Sequence, residues 1–164
     1  MLFRSIVDVL HLDIKMENVL IFEENNELIA KLCDFGLSKK INGETEIEIP
    51  KNWGTTHYLA PEIYLNGKCS KRSDIFSLGR MIQFVLLNMN EMELERECNR
   101  ISKEIKKKNK SIDYLPKEQR ERMKHTIIGS NIISMCCVID PKKRNIPLNK
   151  ISECLITMYR LIHE

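Results

Sequence analysis

A short apolar hairpin with a carboxylate on each side constrains this chain more than any other part of its sequence. Residues 19–22 and 28–32 are apolar runs with a polar loop between them, a pattern that predicts a β-hairpin. Asp13 comes before the first run, and Asp34 follows the second. The amide of Asn18 stands between the two carboxylates in the sequence.

This set of side chains suits metal-assisted phosphoryl transfer. One aspartate would face the nucleophilic hydroxyl, while the other aspartate and Asn18 would hold Mg²⁺ against the phosphates, because Mg²⁺ prefers oxygen ligands. Asp34-Phe35-Gly36 alone is a weak signal, since so short a motif also occurs by chance. Its place after the His11–Asn18 loop, across one hairpin, makes the pair specific.

The remainder of the chain has mainly helical periodicity. Two sets of apolar residues recur at the spacing of one helix face: Ile75, Leu78, Ile82, Val85 and Leu86, then Ile151, Leu155, Met158 and Ile162. Residues 127–139 predict a buried helix, and the charged residues 90–124 a partly helical stretch. Residues 36–53 have no period and predict a long, mobile loop. The predicted fold class is therefore mainly α with a short β-hairpin.

Composition excludes some classes of protein. A hydrophobic content of 43%, a charged content of 30% and a net charge of +3 are ordinary for a soluble globular domain. No stretch reaches the roughly 18 apolar residues of a membrane span. The mixed residues at the start of the chain make a poor signal peptide. We therefore expect one intracellular domain, cytoplasmic or nuclear, with no membrane contact.

Cysteines and lysines suggest no further site. The six cysteines lack metal-ligand spacing, and we interpret most of them as small buried apolar residues in a reducing compartment. The lysine-rich residues 103–110 are interpreted as a solvated face rather than a contact with nucleic acid.

Three further segments follow in a fixed order. Residues 54–62 read Gly-Thr-Thr-His-Tyr-Leu-Ala-Pro-Glu, residues 73–79 read Ser-Asp-Ile-Phe-Ser-Leu-Gly, and residues 140–144 read Asp-Pro-Lys-Lys-Arg. Together with residues 11–18 and 34–36, they resemble the signature set of the protein serine/threonine kinase family. The resemblance implies a protein-kinase-like C-terminal lobe over most of the chain.

The resemblance implies one partial protein kinase domain over residues 1–164. It would comprise a catalytic loop, an Asp-Phe-Gly motif, an activation segment and a helical C-lobe, at residues 11–18, 34–36, 34–62 and 73–164.

It also implies a role for each polar residue of the motifs. Asp13 would be the catalytic base that accepts or orients the substrate hydroxyl proton, and Lys15 would neutralise the transferring γ-phosphate of ATP. Asn18 and Asp34 would hold Mg²⁺. Thr55 would hydrogen-bond to Asp13 and Lys15 and would shape the substrate site.

Other matching residues would be structural. Glu62 would form a buried ion pair with Arg144, and Asp74 would hold the backbone of the catalytic loop. His11 and Phe35 would stack in the hydrophobic spine.

The cofactor and the substrate class follow from the same resemblance. Leu20 would lie under the adenine of ATP. Lys15, two positions after Asp13, and residues 54–62 resemble serine/threonine kinases rather than tyrosine kinases. The implied activity is transfer of the γ-phosphate of ATP, with Mg²⁺, to a Ser or Thr hydroxyl of a protein substrate.

One position departs from the family pattern within the catalytic loop. Leu12 stands where many kinases have an arginine that grips a phosphate on the activation segment. Residues 50–53, the usual phosphosite region, contain no hydroxyl, and Thr45 is the nearest alternative. We therefore predict that activity does not depend on phosphorylation of the activation segment.

A second departure concerns the N-terminal lobe, which we expect to be absent. Its Gly-rich loop, strand lysine and helix glutamate normally lie well upstream of the catalytic loop, but only ten residues precede His11 here. Residues 2–10 resemble the start of the helix that leads into the catalytic loop. A deletion, a missed exon and a misplaced start codon remain open as explanations.

Two classes of function therefore stay open. The chain is either an active kinase, or a catalytically impaired kinase-derived interaction module or truncated gene product. In the second case a partner would cover the exposed upper face of the lobe.

Overall fold

The computed structural model describes residues 8–87, 128–129 and 131–163. The chain divides into two compact units: Met1–Met81 with Met135–Ile146, and Ile82–Ser134 with Pro147–Glu164. The predictions for residues 2–7 and 90–124, including the lysine-rich residues 103–110, lie outside the described residues.

Small antiparallel sheets form part of the first unit. In chain order the described strands are β1 (Val9–Leu10), β2 (Val19–Glu24), β3 (Glu27–Leu32), β4 (Lys39–Lys40), β5 (Ile47–Glu48) and β6 (Lys68–Cys69). They pair as β1 with β4, β2 with β3 and β5 with β6. The fold of the described residues thus combines helices with small sheets.

The predicted β-hairpin is present, but its turn is shorter than the sequence pattern suggested. β2 and β3 pair along their full length, with Glu24 opposite Glu27, so only Asn25 and Asn26 form the turn. Both asparagines have positive φ angles, 53° and 63°, as a two-residue hairpin turn requires. The acidic residues that looked like loop are therefore strand residues.

Residues 36–53 are held at two places rather than forming one long loop. Lys40 of β4 lies opposite Val9 of β1, and Ile47 of β5 lies opposite Cys69 of β6. The interpretation of these residues as unpaired loop is therefore wrong at β4 and β5. Residues 9 and 10 are likewise a strand, and not part of the helix whose start residues 2–10 resemble.

Helices follow the strands. α1 (Pro61–Asn66) begins with a proline, whose fixed φ suits a first helical turn, and ends at Gly67, which has a φ of 68°. α2 (Lys71–Leu87) contributes residues to both units, and the last helix spans Leu148–His163. Residues 128–129 and 131–136 are also helical, within the run predicted as a buried helix.

The core of the first unit joins residues on both sides of the hairpin. Its buried apolar members are Leu10, Leu12, Ile41, Leu59, Ala60, Ile63 and Cys69. Ile47, Ile49, Trp53 and Phe76 pack against this cluster. Burial raises the pKa of the Cys69 thiol to about 12, so this cysteine is a neutral core residue.

The backbone of Gly79 lies close to the side chains of Cys136 and Cys137. A Cβ atom on Gly79 of α2 would lie 2.4 Å from Cys136 Cβ and 2.9 Å from Cys137 Sγ. Such distances are far below van der Waals contact, so glycine at residue 79 lets α2 approach these two residues.

The second unit also contains buried apolar side chains. Its buried side chains include Ile82, Ile132, Ile133 and Ile151, which belong to runs predicted as buried helix faces. Val85 was placed on the same face but is exposed. The side chains of Leu86, Met158 and Ile162 lie outside the described part. Within the described residues, no helix is long and apolar enough to span a membrane.

Candidate active site

Asp13 is the centre of a dense hydrogen-bond network in the loop between β1 and β2. Its Oδ1 atom accepts from the backbone N–H of Thr55 at 3.1 Å and from the Thr55 hydroxyl at 2.6 Å. Its Oδ2 atom lies 2.7 Å from Lys15 Nζ and accepts from Asn18 Nδ2 at 3.1 Å. Lys15 also donates to the Thr55 hydroxyl at 3.0 Å. Four of the predicted site residues therefore meet at one point.

These contacts favour the ionised form of Asp13. Burial raises the pKa of Asp13, but hydrogen bonds from Lys15, Thr55 and Asn18, with the charge of Lys15, bring it below the usual value. The pKa of Lys15 is raised, first of all by its hydrogen bond to Asp13. Asp13 and Lys15 therefore form a carboxylate–ammonium pair at neutral pH.

Asp74, in the first turn of α2, holds the start of the catalytic loop. Its two carboxylate oxygens accept the backbone N–H groups of His11 at 2.8 Å and Leu12 at 2.9 Å. Burial raises the pKa of Asp74, and these two hydrogen bonds act in the opposite direction. Leu12 has a φ of 66°, which is unusual for a branched side chain. We infer that the two hydrogen bonds to Asp74 help to hold this backbone conformation.

His11 links the catalytic loop to the Asp-Phe-Gly motif. Its Nδ1 atom accepts from the backbone N–H of Asp13 at 3.3 Å, so the N–H of the neutral ring is at Nε2. Nε2 lies 3.1 Å from the carbonyl oxygen of Cys33, to which it donates. The ring of Phe35 is tilted against the imidazole, with 4.9 Å between centroids. The predicted stacking pair is thus in contact.

Asn18 and Asp34, the predicted Mg²⁺ ligands, lie at neighbouring ends of the hairpin. The N–H of Cys33, next to Asp34, donates to the carbonyl oxygen of Asn18 at 2.9 Å. The side-chain nitrogen of Asn18 donates to Asp13, which leaves its amide oxygen as the possible ligand atom. Asp34 is exposed and accepts from the N–H of Gly36 at 3.2 Å.

The donor chemistry of this pair fits Mg²⁺ bound together with a nucleotide. Among the described residues, no group of three His, Cys, Asp or Glu side chains could hold a metal ion by itself. Mg²⁺ is usually held by one or two carboxylates, with phosphate and water oxygens completing its six ligands. One carboxylate and one amide oxygen are therefore a sufficient protein contribution.

Leu20, the predicted adenine contact, belongs to an exposed apolar surface. It lies in β2 beside Ile21 and Phe22, and Leu28 faces solvent from β3. Leu20 and Phe22, which we call the hairpin face, lie on one side of this two-stranded sheet and are 47% and 41% exposed, whereas Ile21 and Leu28 lie on its other side. A flat apolar ring or an apolar partner surface would find its contacts here.

Glu62 and Arg144 form a buried ion pair at some distance along the chain from the catalytic loop. The Arg144 guanidinium donates to the two Glu62 carboxylate oxygens at 2.8 and 3.1 Å, and to the carbonyls of Arg72 and Val138. The hydroxyl of Ser73 donates to Glu62 at 2.8 Å. The ion pair was expected from the sequence. The hydrogen bond from Ser73 was not, because nothing in the sequence indicated that Ser73 would contact Glu62.

Trp53 and Ser38 were also missed. The indole N–H of Trp53 donates to the carbonyl oxygen of Leu37 at 2.9 Å. The hydroxyl of Ser38 donates to the carbonyl oxygen of His11 at 3.2 Å. The available signal for Trp53 was that a single tryptophan directly precedes the Gly54-Thr55 motif.

The order of these motifs and their contacts agree with one family. The protein kinase domain matches residues 5–155. The chain belongs to the protein kinase family.

Individual kinases resemble the chain over parts of its length. It is 34% identical over 140 residues to probable serine/threonine-protein kinase fnkE of Dictyostelium discoideum, which is 84% of this chain and 9% of that protein. It is 37% identical over 86 residues to serine/threonine-protein kinase 33 of Bos taurus, which is 49% of this chain and 18% of that kinase. It is 36% identical over 92 residues to L-type lectin-domain containing receptor kinase VIII.1 of Arabidopsis thaliana, which is 56% of this chain and 12% of that kinase. The chain thus spans less than a fifth of each relative.

Proposed function

We propose that this chain transfers the γ-phosphate of ATP to a serine or threonine hydroxyl of a protein substrate. The observation that carries the proposal is the network in which Asp13 accepts from Thr55, Lys15 and Asn18. Membership of the protein kinase family and the names of the serine/threonine kinase relatives support the substrate class. A cytoplasmic or nuclear location, where ATP is available, belongs to the same proposal.

The network suggests how a substrate hydroxyl would enter. A carboxylate has about four lone-pair positions, and Asp13 already accepts two hydrogen bonds on each oxygen. One partner must therefore leave before a substrate hydroxyl can donate to Asp13. Lys15 has a partly exposed side chain, at 22%, and its ammonium would move to the γ-phosphate.

The bonds formed and broken in this reaction, and the transfer of the proton, are as follows. The substrate oxygen forms a bond to the γ-phosphorus as the bond to the β–γ bridging oxygen breaks, which releases ADP. The hydroxyl proton passes to Asp13, whose lowered pKa keeps it ionised beforehand. Mg²⁺ held by Asn18 and Asp34 would neutralise charge on the phosphates.

A pair of peptides tests this proposal. Purified chain with Mg²⁺ and labelled ATP is given two basic peptides that differ only in their acceptor, serine or tyrosine, and the Asp13→Asn variant is the control. We expect label on the serine peptide only, and none with the variant. Equal labelling by the variant would assign the activity to a contaminant. Labelling of the tyrosine peptide alone would contradict the serine/threonine assignment.

The hairpin face favours a second candidate, a kinase-derived module that binds a partner. Leu20 and Phe22 are exposed apolar side chains on one side of the hairpin, of the kind that a partner covers. Binding of Mg²⁺-ATP, measured by calorimetry, separates the two candidates. Saturable binding that Asp34→Asn weakens supports the enzyme, whereas absence of nucleotide binding supports the interaction module.

A further inference from the structure

We propose that Trp53 is a positioning residue that joins the two ends of the activation segment and thereby fixes Thr55 against Asp13 without a phosphate group. The inference rests on the proposed function, because it gives Trp53 a role in the same reaction. Trp53 is the one tryptophan of the chain, and it stands immediately before Gly54-Thr55.

Three contacts fix the indole ring. Its N–H donates to the carbonyl oxygen of Leu37 at 2.9 Å, one residue after the Asp-Phe-Gly motif. The ammonium of Lys39 lies 4.9 Å from the ring centroid, within the range of a cation–π interaction. The ring also packs against the buried apolar cluster that contains Leu12. One side chain thus connects the metal-binding end of the segment to its substrate end.

The two residues after Trp53 carry its position to the catalytic loop. Gly54 has a φ of 120°, and a Cβ atom there would lie 2.7 Å from the carbonyl oxygen of Leu12. The backbone therefore rests directly on the loop at this point. Thr55 then donates both its N–H and its hydroxyl to Asp13. A displaced indole would move Thr55 away from the Oδ1 atom of Asp13.

These contacts provide what a phosphate would otherwise provide. Leu12 is 3% exposed and has no donor with which to bind a phosphate. Thr45 is exposed and has acidic neighbours in the sequence, so a phosphate there would add negative charge to an acidic stretch formed by Glu44, Glu46 and Glu48. The described contacts of Trp53 are instead with a carbonyl, a cation and apolar side chains.

The indole N–H offers a test that does not need catalytic activity. The full chain is prepared without phosphate, as verified by intact mass, and exchange of its one indole N–H is followed by NMR. We expect exchange at least about tenfold slower than in the urea-unfolded chain, because a hydrogen-bonded N–H exchanges only when the bond opens. Exchange as fast as in the unfolded chain, or protection that appears only after phosphorylation of Thr45, would overturn the inference.

Trp53→Phe tests the link from the indole to Thr55. It removes the N–H and keeps an aromatic ring near Lys39. We expect faster exchange of the Thr55 backbone amide, and a kcat reduced about tenfold with an unchanged KM for ATP, the factor that one lost hydrogen bond allows. The control is Tyr64→Leu, which changes an exposed aromatic residue of α1 and should leave both measurements unchanged.

The possible outcomes separate this inference from the proposed function. A chain without phosphotransfer, but with a protected indole and a Thr55 amide that responds to Trp53→Phe, would reject the kinase activity and retain the positioning role. An active chain in which Trp53→Phe changes neither kcat nor the Thr55 amide would retain the activity and overturn the positioning role.

Discussion

Two carboxylates in the first unit have closely similar surroundings. Asp13 and Glu62 are each 7% exposed, and each has one cation and one hydroxyl as partners. The cation distances are 2.7 Å for Asp13 with Lys15 and 2.8 Å for Glu62 with Arg144; the hydroxyl distances are 2.6 Å to Thr55 and 2.8 Å to Ser73. Asp13 differs in also accepting from the amide of Asn18 and the N–H of Thr55.

The cations of the two ion pairs differ in how far they are exposed to solvent. The side chain of Arg144 is 0% exposed and also donates to the carbonyls of Arg72 and Val138, so these buried contacts hold it in one position. The side chain of Lys15 is 22% exposed, and an ammonium on a flexible stem can turn towards another partner. In the proposed reaction, the carboxylate of Asp13 exchanges this cation for the substrate hydroxyl. A carboxylate inside a sealed guanidinium network holds the fold instead.

Replacing each carboxylate by its amide gives the largest expected contrast. Asp13→Asn should lower kcat about 10²–10⁴-fold, the usual contribution of a general base. It should lower the melting temperature less than Glu62→Gln does, because the partly exposed Lys15 can turn to water and Asn18 keeps its bond to the Asp13 carbonyl. Glu62→Gln should give the reverse pattern. Steady-state kinetics and thermal unfolding of both variants check this contrast. An equal fall in melting temperature in the two variants would contradict it.

Replacing each cation by methionine compares the two ion pairs directly. Arg144→Met should lower the free energy of unfolding by about 3–5 kcal/mol, because it leaves a buried carboxylate unpaired. Lys15→Met should lower it by no more than about 1 kcal/mol, since this pair is partly open to water. Urea unfolding of the two variants measures both values. Similar losses would show that exposure of the cation does not distinguish the pairs.

The hydroxyl partners provide a finer comparison. Thr55→Val keeps the shape of the side chain and removes the hydroxyl with its hydrogen bonds to Asp13 and Lys15, and we expect kcat to fall at least about tenfold. Ser73→Ala should leave kcat unchanged and lower stability by about 1–2 kcal/mol, because it removes a donor from a buried carboxylate. A kinetic defect in Ser73→Ala would show that the two clusters communicate.

The pH dependence of Asp13 is the smallest of the expected effects. Its folded-state pKa lies below the unfolded value of about 3.9, so its contribution to stability is present above that value and is lost as pH falls through the folded pKa. We therefore expect kcat/KM, which reports the free enzyme, to show no acid limb between about pH 5 and 8. In Lys15→Met the lowering hydrogen bond is gone, and the acid limb should move to higher pH. A profile unchanged by Lys15→Met would contradict this cause.

Much of the polar site could be predicted because its members lie in short segments of fixed spacing. Asp13, Lys15 and Asn18 share the loop before β2, and Asp34 follows β3, which pairs with β2, so their proximity depends on a single hairpin. The ion pair of Glu62 and Arg144 spans 82 residues and came from the family resemblance alone.

Other contacts could not be predicted from the sequence pattern. Trp53 and Ser38 donate to backbone carbonyls, which every residue offers, so their partners depend on where the chain returns. β4 and β5 are two residues long, too short for a period, and form only because Val9 and Cys69 lie opposite them. The hairpin turn was misjudged because Glu23 and Glu24 are polar, although an exposed strand accepts polar residues.

The contact at Gly79 limits which sequences this lobe tolerates. Glycine inside a helix costs about 1 kcal/mol relative to alanine, so exchange for alanine would ordinarily be favoured. At residue 79 even a methyl group would overlap the Cβ atom of Cys136, at 2.4 Å. In a library of active variants, residue 79 should remain glycine wherever residue 136 keeps a side chain, and the two positions should change together.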